Sequence, residues 1–437
     1  MQSHNRPRMA VLGLDGLSFS LAHNLAASGR FPNLARLIDS GGSNPIRAEL
    51  PELSPVNWTS FYTASGPEDH GIFGFTRLDP KSYRLSFASS EQVLAPSLFD
   101  RLGQRGCVSK VINLPNTYPA KPIKGMLIAG FVAPDLERAV YPRPLLPRLQ
   151  AEGYQLEADT SRGLSDPEHL LSQLAATLES RRKALDLLWP DLAWDLFVFV
   201  LTETDRLGHF LYPALTSEGH AWHSACMDLL QIWDRLIGDF LDRFQALPEP
   251  KRLLALADHG FTSLDQEVDL NVWLTRNNFL ILSGRPDNEL DVSVMAPESS
   301  AFALDPGRIY LHRRSRYARG QLSDDRADEL RETIRDGLCE LTYEGRPVMQ
   351  AVHRGEELYP GSEHPDCPDL VCQAAPGFDC KAKFDRSRLF GFYGRTGAHT
   401  REDAFFLDSA AEPAETVRQA GATVLEFFQP DKPQIIV

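Results

Sequence analysis

The sequence predicts an α/β fold, with a mainly parallel central sheet flanked by helices and carrying cap insertions. Three observations point there. Uncharged apolar runs at Met9–Leu14, Leu196–Leu201 and Leu253–Ala257 read as strands buried on both faces, as in a parallel sheet. Stretches with helical spacing lie between them. Each run also leads to an aspartate: Asp15, Asp205 (through Thr202, Glu203 and Thr204) and Asp258. Ligands of open α/β sheets bind outside the carboxyl ends of the strands, so the three carboxylates are expected at one edge. Left unneutralised, they would repel at high cost, which a cluster of cations would remove.

The elements follow in order. After Met9–Leu14, Pro32–Gly42 is helical, opened by Pro32 and closed by a glycine pair. Ser54 precedes Pro55, and the spacing of Val56, Trp58, Phe61 and Tyr62 predicts a helix that starts near Ser54. Val108–Leu114 is a strand that runs into a proline-rich turn, and Leu127–Phe131 is another. Residues 140–190 change character: a proline-rich stretch and the amphipathic His169–Leu188 read as a helical insertion. The core resumes with Leu196–Leu201, a long helix near Trp222–Phe244 and Leu253–Ala257. Residues 266–350 read as a cap-like insertion, with a strand at Gly307–His312 and a helix at Asp324–Glu340. The core closes over 351–437 with a strand at Asp369–Gln373 and a helix near Ala414–Phe428. The whole reads as a single domain, 1–437, bearing both insertions.

Composition narrows the class. Of 437 residues, 43% are hydrophobic and 24% charged, an ordinary globular balance with length for a large core. A net charge of −14 argues against a nucleic acid polymer or an acidic membrane as partner, but not against a small phosphorylated substrate held by metal ions. No secretory leader precedes the first strand and no apolar run is long enough to span a bilayer, so a cytoplasmic protein with no membrane partner is expected. The six scattered cysteines form no CxxC pair and read as free thiols of a reducing compartment.

The chemistry lies in four places. Ser54 falls at or near a helix N-terminus, where backbone N–H groups favour an anion, either a phosphate or the serine's own alkoxide; its plainer role would be an N-cap. Asp205 and His209 share one helical face at i and i+4. Asp258 and His259 precede Gly260, whose freedom lets adjacent side chains turn to one ion. His399 lies in the loop GFYGRTGAHT. Taken singly these could be a capping residue, a polar strand end and a surface histidine. Together they suffice for two divalent ions, with mixed His and carboxylate donors that suit Zn²⁺ first and Mn²⁺ or Fe²⁺ less well.

This set, in this order, resembles the alkaline phosphatase superfamily, and within it the type I phosphodiesterase/nucleotide pyrophosphatase branch. The motifs are LDG at 14–16, SPVNWTSFYTASGPEDHGI at 54–72, DRLGH at 205–209, ADHG at 257–260 and GAH at 397–399. The resemblance implies an alkaline-phosphatase-like sheet and a metal-dependent phosphoester hydrolase. It places one ion on Asp205, His209 and His399, and the other on Asp15, Asp258 and His259. Ser54 would be the nucleophile, touching the second ion and passing through a phosphoseryl intermediate. His70 belongs to the HGI turn and is given a structural role.

The chain departs from that branch at Phe75, where nucleotide pyrophosphatases carry an asparagine that contacts the phosphoryl oxygen. Asn57, Thr76 or Arg395 are the candidates to replace it. The sulfatase pattern is absent, since Ser54 is followed by Pro-Val-Asn, and so is the glycine-rich dinucleotide fingerprint. The basic stretch from His312 to Arg319 reads either as a clamp for an anionic substrate tail or as a solvated face. A phosphodiesterase is expected, with a phosphomonoesterase or phosphonate-ester hydrolase as the alternative, and a catalytically inactive ligand-binding relative as the rival from another class.

Overall fold

The computed structural model describes residues 6–163 and 165–429. Its centre is an eight-stranded sheet of β1 (Arg8–Leu14), β2 (Gly42–Ile46), β3 (Ser109–Leu114), β4 (Gly125–Ala129), β5 (Val140–Tyr141), β6 (Leu196–Leu201), β7 (Lys251–Leu256) and β8 (Ala404–Asp408), in the order β2-β8-β7-β1-β6-β3-β4-β5. The inner pairs β7-β1, β1-β6, β6-β3 and β3-β4 are parallel. Antiparallel pairs close both edges. Every residue of β6 is buried and β1 is buried beyond Arg8, which is why these strands carry unbroken apolar runs rather than an alternating pattern.

Register brings the aspartates together. Leu14 lies opposite Leu201 and Gly13 opposite Leu256. Two residues beyond Gly13, Asp15 stands level with Asp258, and one residue beyond Leu14 it stands level with Thr202. Asp205 follows in the first turn of the helix Glu203–Thr216.

The helix Pro167–Leu188 is woven into the main core. Its Leu170, Leu174, Leu178 and Leu185 are buried with the sheet's own Phe197 and Phe199. The strand expected at Asp369–Gln373 forms as Leu370–Ala374, but it joins a second, four-stranded sheet with Ala301–Leu304, Arg308–Leu311 and Met349–Arg354 rather than the central one. A separate apolar cluster that includes Phe302, Ile309, Leu338 and Leu370 packs that second sheet. A local apolar pattern marks a strand without saying which core it serves.

Candidate metal and phosphoester site

Ser54 opens the helix Ser54–Thr63, with Leu53 in extended conformation as its N-cap. Ser54 makes no capping bond, so the N-cap alternative does not apply. The helix is buried along its full length. Its polar side chains are accommodated because Thr59, Ser60 and Thr63 donate to the carbonyls of Pro55, Val56 and Thr59, four residues back. Ser54 Oγ lies 3.3 Å from His259 Nε2 and 3.5 Å from Asp15 Oδ1. One turn on, Trp58 Nε1 donates to Asp15 Oδ2 at 3.0 Å. This leaves Asp15 Oδ1 facing the serine.

Asp15, Asp258 and His259 form one group whose ligand atoms lie within 4.8 Å of one another; Asp205, His209 and His399 form the other. The Gly16 N–H donates to Asp258 Oδ1 at 3.1 Å. In the second group, Asp205 Oδ1 is 3.4 Å from His209 Nε2 and 3.3 Å from His399 Nε2, and 3.8 Å from His259 Nε2 of the first. Two imidazoles are fixed from behind: His259 Nδ1 lies 3.1 Å from the Gly260 carbonyl and His399 Nδ1 2.5 Å from that of Glu52. Each therefore presents Nε2, the usual arrangement of a metal-ligating histidine.

A proline brings His399 to His209. Pro213, four residues after His209, has no N–H to return to the His209 carbonyl. The Thr396 N–H takes that carbonyl at 2.7 Å, and Thr396 Oγ1 accepts from Tyr212 N at 3.0 Å. The strand Gly397–Thr400 then pairs with Gly260–Asp269, setting His399 opposite Phe261, two residues past His259.

Electrostatics give the site its character. Burial, with repulsion from Asp258 and Asp205, holds the Asp15 carboxyl well above its usual range. Burial and Asp205 push Asp258 up to about 7. Burial opposes ionisation of Asp205 too, but His209, Arg206 and His399 outweigh it and hold that carboxyl below its usual range. Burial lowers His259 to about 4, keeping it a neutral donor. Asp205 Oδ1 and Asp258 Oδ2 are buried without a hydrogen-bond partner. Orphaned carboxylate oxygens facing neutral imidazoles fit divalent cations, and His₂Asp and HisAsp₂ sets suit Zn²⁺.

A cleft of about 530 Å³ is lined by His209 and His399 together with Glu52, Phe75, Arg395, Gln350, Gln373 and Phe378. Of the three expected substrate contacts, only Arg395 lines it. Its guanidinium makes no hydrogen bond or ion pair among the described residues. The Asn57 amide bonds the backbone of Glu49 and Leu53, at 2.6, 3.3 and 3.2 Å. Thr76 is buried against Arg308, which donates to its carbonyl at 2.8 Å. Both sequence positions are near the serine along the chain, but their polar atoms serve the loops around it. His70 is buried, bonded to Ser60 Oγ at 2.9 Å and to the Ile72 N–H at 3.1 Å, and holds the turn.

Most of the basic stretch serves the fold, while Arg314 is exposed. Arg313 and Arg316 pair with Asp369, and the Arg319 guanidinium lies 3.8 Å over the Tyr83 ring. None of these arginines lines the cleft. Sequence reasoning missed Glu52, a cleft carboxyl that burial raises to about 7, and Trp58, whose signal was its place one turn after Ser54.

The sheet edge defines a class first: an α/β protein whose buried carboxylates and imidazoles form two groups that could each hold a metal ion. The profile of the type I phosphodiesterase / nucleotide pyrophosphatase family matches residues 9–399, and the chain belongs to that family. It is a phosphoric ester hydrolase of the alkaline phosphatase superfamily. Phosphonoacetate hydrolase from Sinorhizobium meliloti 1021, in complex with phosphonoformate, has a similar structure, with a TM-score of 0.64 over 97% of this chain and 96% of that one at 15% identity. Murine ectonucleotide pyrophosphatase / phosphodiesterase 5, inactive and in complex with AMP, aligns with a TM-score of 0.58 over 96% and 94% at 13% identity. No curated protein sequence matches at a significant level.

Proposed function

We propose that the protein is a phosphodiesterase acting on a small phosphorylated substrate through Ser54 at a two-cation site. The observation that carries this is the Ser54 hydroxyl set between His259 and Asp15, beside two carboxylates, Asp15 and Asp258, that burial makes costly to ionise without cations. When bound, two divalent cations, Zn²⁺ before Mn²⁺ or Fe²⁺, supply Lewis-acid stabilisation of charge on the attacking and leaving oxygens. Asp205, His209 and His399 would hold one, and Asp15, Asp258 and His259 the other.

The chain's own residues supply the rest. Ser54 Oγ, its proton passed to solvent, attacks phosphorus as an alkoxide, its P–O bond forming as the bond to the leaving oxygen breaks, and a phosphoserine results. The N-terminal N–H groups of the Ser54 helix favour the negative charge gathered there. Water then cleaves the serine–phosphorus bond and restores the hydroxyl. Arg395, unpaired in the cleft, would contact the phosphoryl oxygens. The six unpaired cysteines accord with the cytoplasmic location that goes with this reading.

Phe75 favours a second reading within the same chemistry. It places an aromatic ring at the cleft where a diesterase of this branch has an amide donor. A phosphomonoester or phosphonate ester would then be the substrate. A screen of p-nitrophenyl phosphate, bis-p-nitrophenyl phosphate and a phosphonate ester, with Zn²⁺- or Mn²⁺-loaded protein, separates the readings. Ser54→Ala should lower the favoured activity by on the order of 10³-fold or more, with the fold intact by circular dichroism. Unchanged turnover would remove Ser54 as nucleophile, and no turnover of any ester by the wild type would support an inactive binding protein.

A further inference from the structure

Arg206 has no part in the chemistry above, yet it touches the site at a decisive atom. Its Nη1 donates to Asp205 Oδ2. Its Nη2 donates to Glu157 Oε2 at 3.2 Å, and its guanidinium lies 4.4 Å over the Phe131 ring. Phe131 in turn meets Phe75, at the cleft, edge to face at 5.7 Å. Glu157 is itself placed from behind. The buried Arg181 donates to the carbonyls of Gln155 and Leu156, the two residues before it. The guanidinium is thus gripped on three sides, and one oxygen of Asp205 is taken.

The other oxygen is left bare. Asp205 Oδ1 has no hydrogen-bond partner and faces His209, His399 and His259. Resting on the two-cation reading, we propose that Arg206 is a positioning residue that restricts Asp205 to one donor oxygen and so selects the ion its group accepts. A carboxylate confined to one oxygen, beside two imidazoles, suits the four short bonds of Zn²⁺. Larger ions that seek more oxygen ligands gain from a bidentate carboxylate, which the Arg206 contact disfavours.

The test is a ratio. Metal-depleted wild type, Arg206→Met and Arg206→Lys are each titrated with Zn²⁺ and with Mn²⁺, and the binding step abolished in a His399→Ala control identifies the Asp205 group. Losing the arginine's charge affects two ions of equal charge alike, so the ratio of their affinities reports the freed oxygen. The preference for Zn²⁺ should fall about 10-fold or more in Arg206→Met, within the range typical for lost outer-shell partners. Arg206→Lys keeps the charge but lacks the planar fork, and should shift the ratio in the same direction. If Arg206→Met does not fold, Arg206→Lys and Glu157→Gln decide by the same ratio. An unchanged ratio with two ions bound overturns the role of Arg206 alone, whereas a wild type that binds neither ion overturns the two-cation reading with it.

Discussion

Asp258 shows what a single buried group demands. Its carboxyl, ordinarily near 3.8, is raised to about 7 by burial and by Asp205. Between those values the folded chain binds more protons than the unfolded one, so the contribution to stability is lost as pH rises through 7. Glu52 and Asp269, also raised to about 7 by burial, act in the same sense. The buried histidines oppose this only below their ordinary 6.5, above which they are mostly neutral in both states. Metal-depleted protein should therefore lose stability between pH 6.5 and about 8, as read by denaturant unfolding, and bound cations should flatten the profile. A depleted protein that gained stability over that interval would contradict the assignment. The local pairs Asp205/His209 and Asp258/His259 were legible in sequence because each sits in one short motif, whereas the approach of Asp15, Ser54 and His399 to them depends on strand register and long-range contacts. Arg206 was not legible. Adjacent helical side chains ordinarily diverge, and its approach to Asp205 depends on Glu157, about fifty positions away. For Asn57 and Thr76, polarity near Ser54 in sequence did not reveal the local bonds their polar groups make to Glu49, Leu53 and Arg308.

At the scale of elements, strands were legible and their allegiance was not. Fully buried parallel strands announce themselves by unbroken apolar runs. The strand Leu370–Ala374 reads the same way but belongs to the second sheet, and the helix Pro167–Leu188 supports the first. Both assignments depend on distant partners. The seating of the Ser54 helix against β1 rests on a missing side chain. A Cβ at Gly13 would lie 2.7 Å from the Trp58 ring and 2.8 Å from Val200. Gly13→Ala should thus displace Trp58 and the Asp15 contact it holds. A loss of about 1–3 kcal/mol in unfolding free energy is expected, the usual cost of overpacking, together with weaker metal binding at the Asp15 group. Full stability in that variant would show that the helix can shift without penalty.

For the whole molecule, the residues proposed to hold cations lie at the ends of β1 and β7, on the Glu203–Thr216 helix and on the Gly397–Thr400 strand. Ions held there would tie the sheet to the loops above it. Chelation should lower the melting temperature, and added Zn²⁺ should restore it with a gain that grows with the logarithm of ion concentration, about 2.7 kcal/mol at a hundredfold excess over Kd. A melting temperature indifferent to chelator would argue against resident ions. The strand order also sets a timetable for biosynthesis. β2, made early, has β8 as its only sheet neighbour among the described residues, and β8 enters between β2 and β7. A growing chain therefore carries an unmatched edge for more than 350 residues. Until then that edge is open to aberrant pairing. His399 emerges only just before β8, so ion capture by the Asp205 group would coincide with closure of the sheet, and a ribosome stalled earlier would release a chain that can do neither.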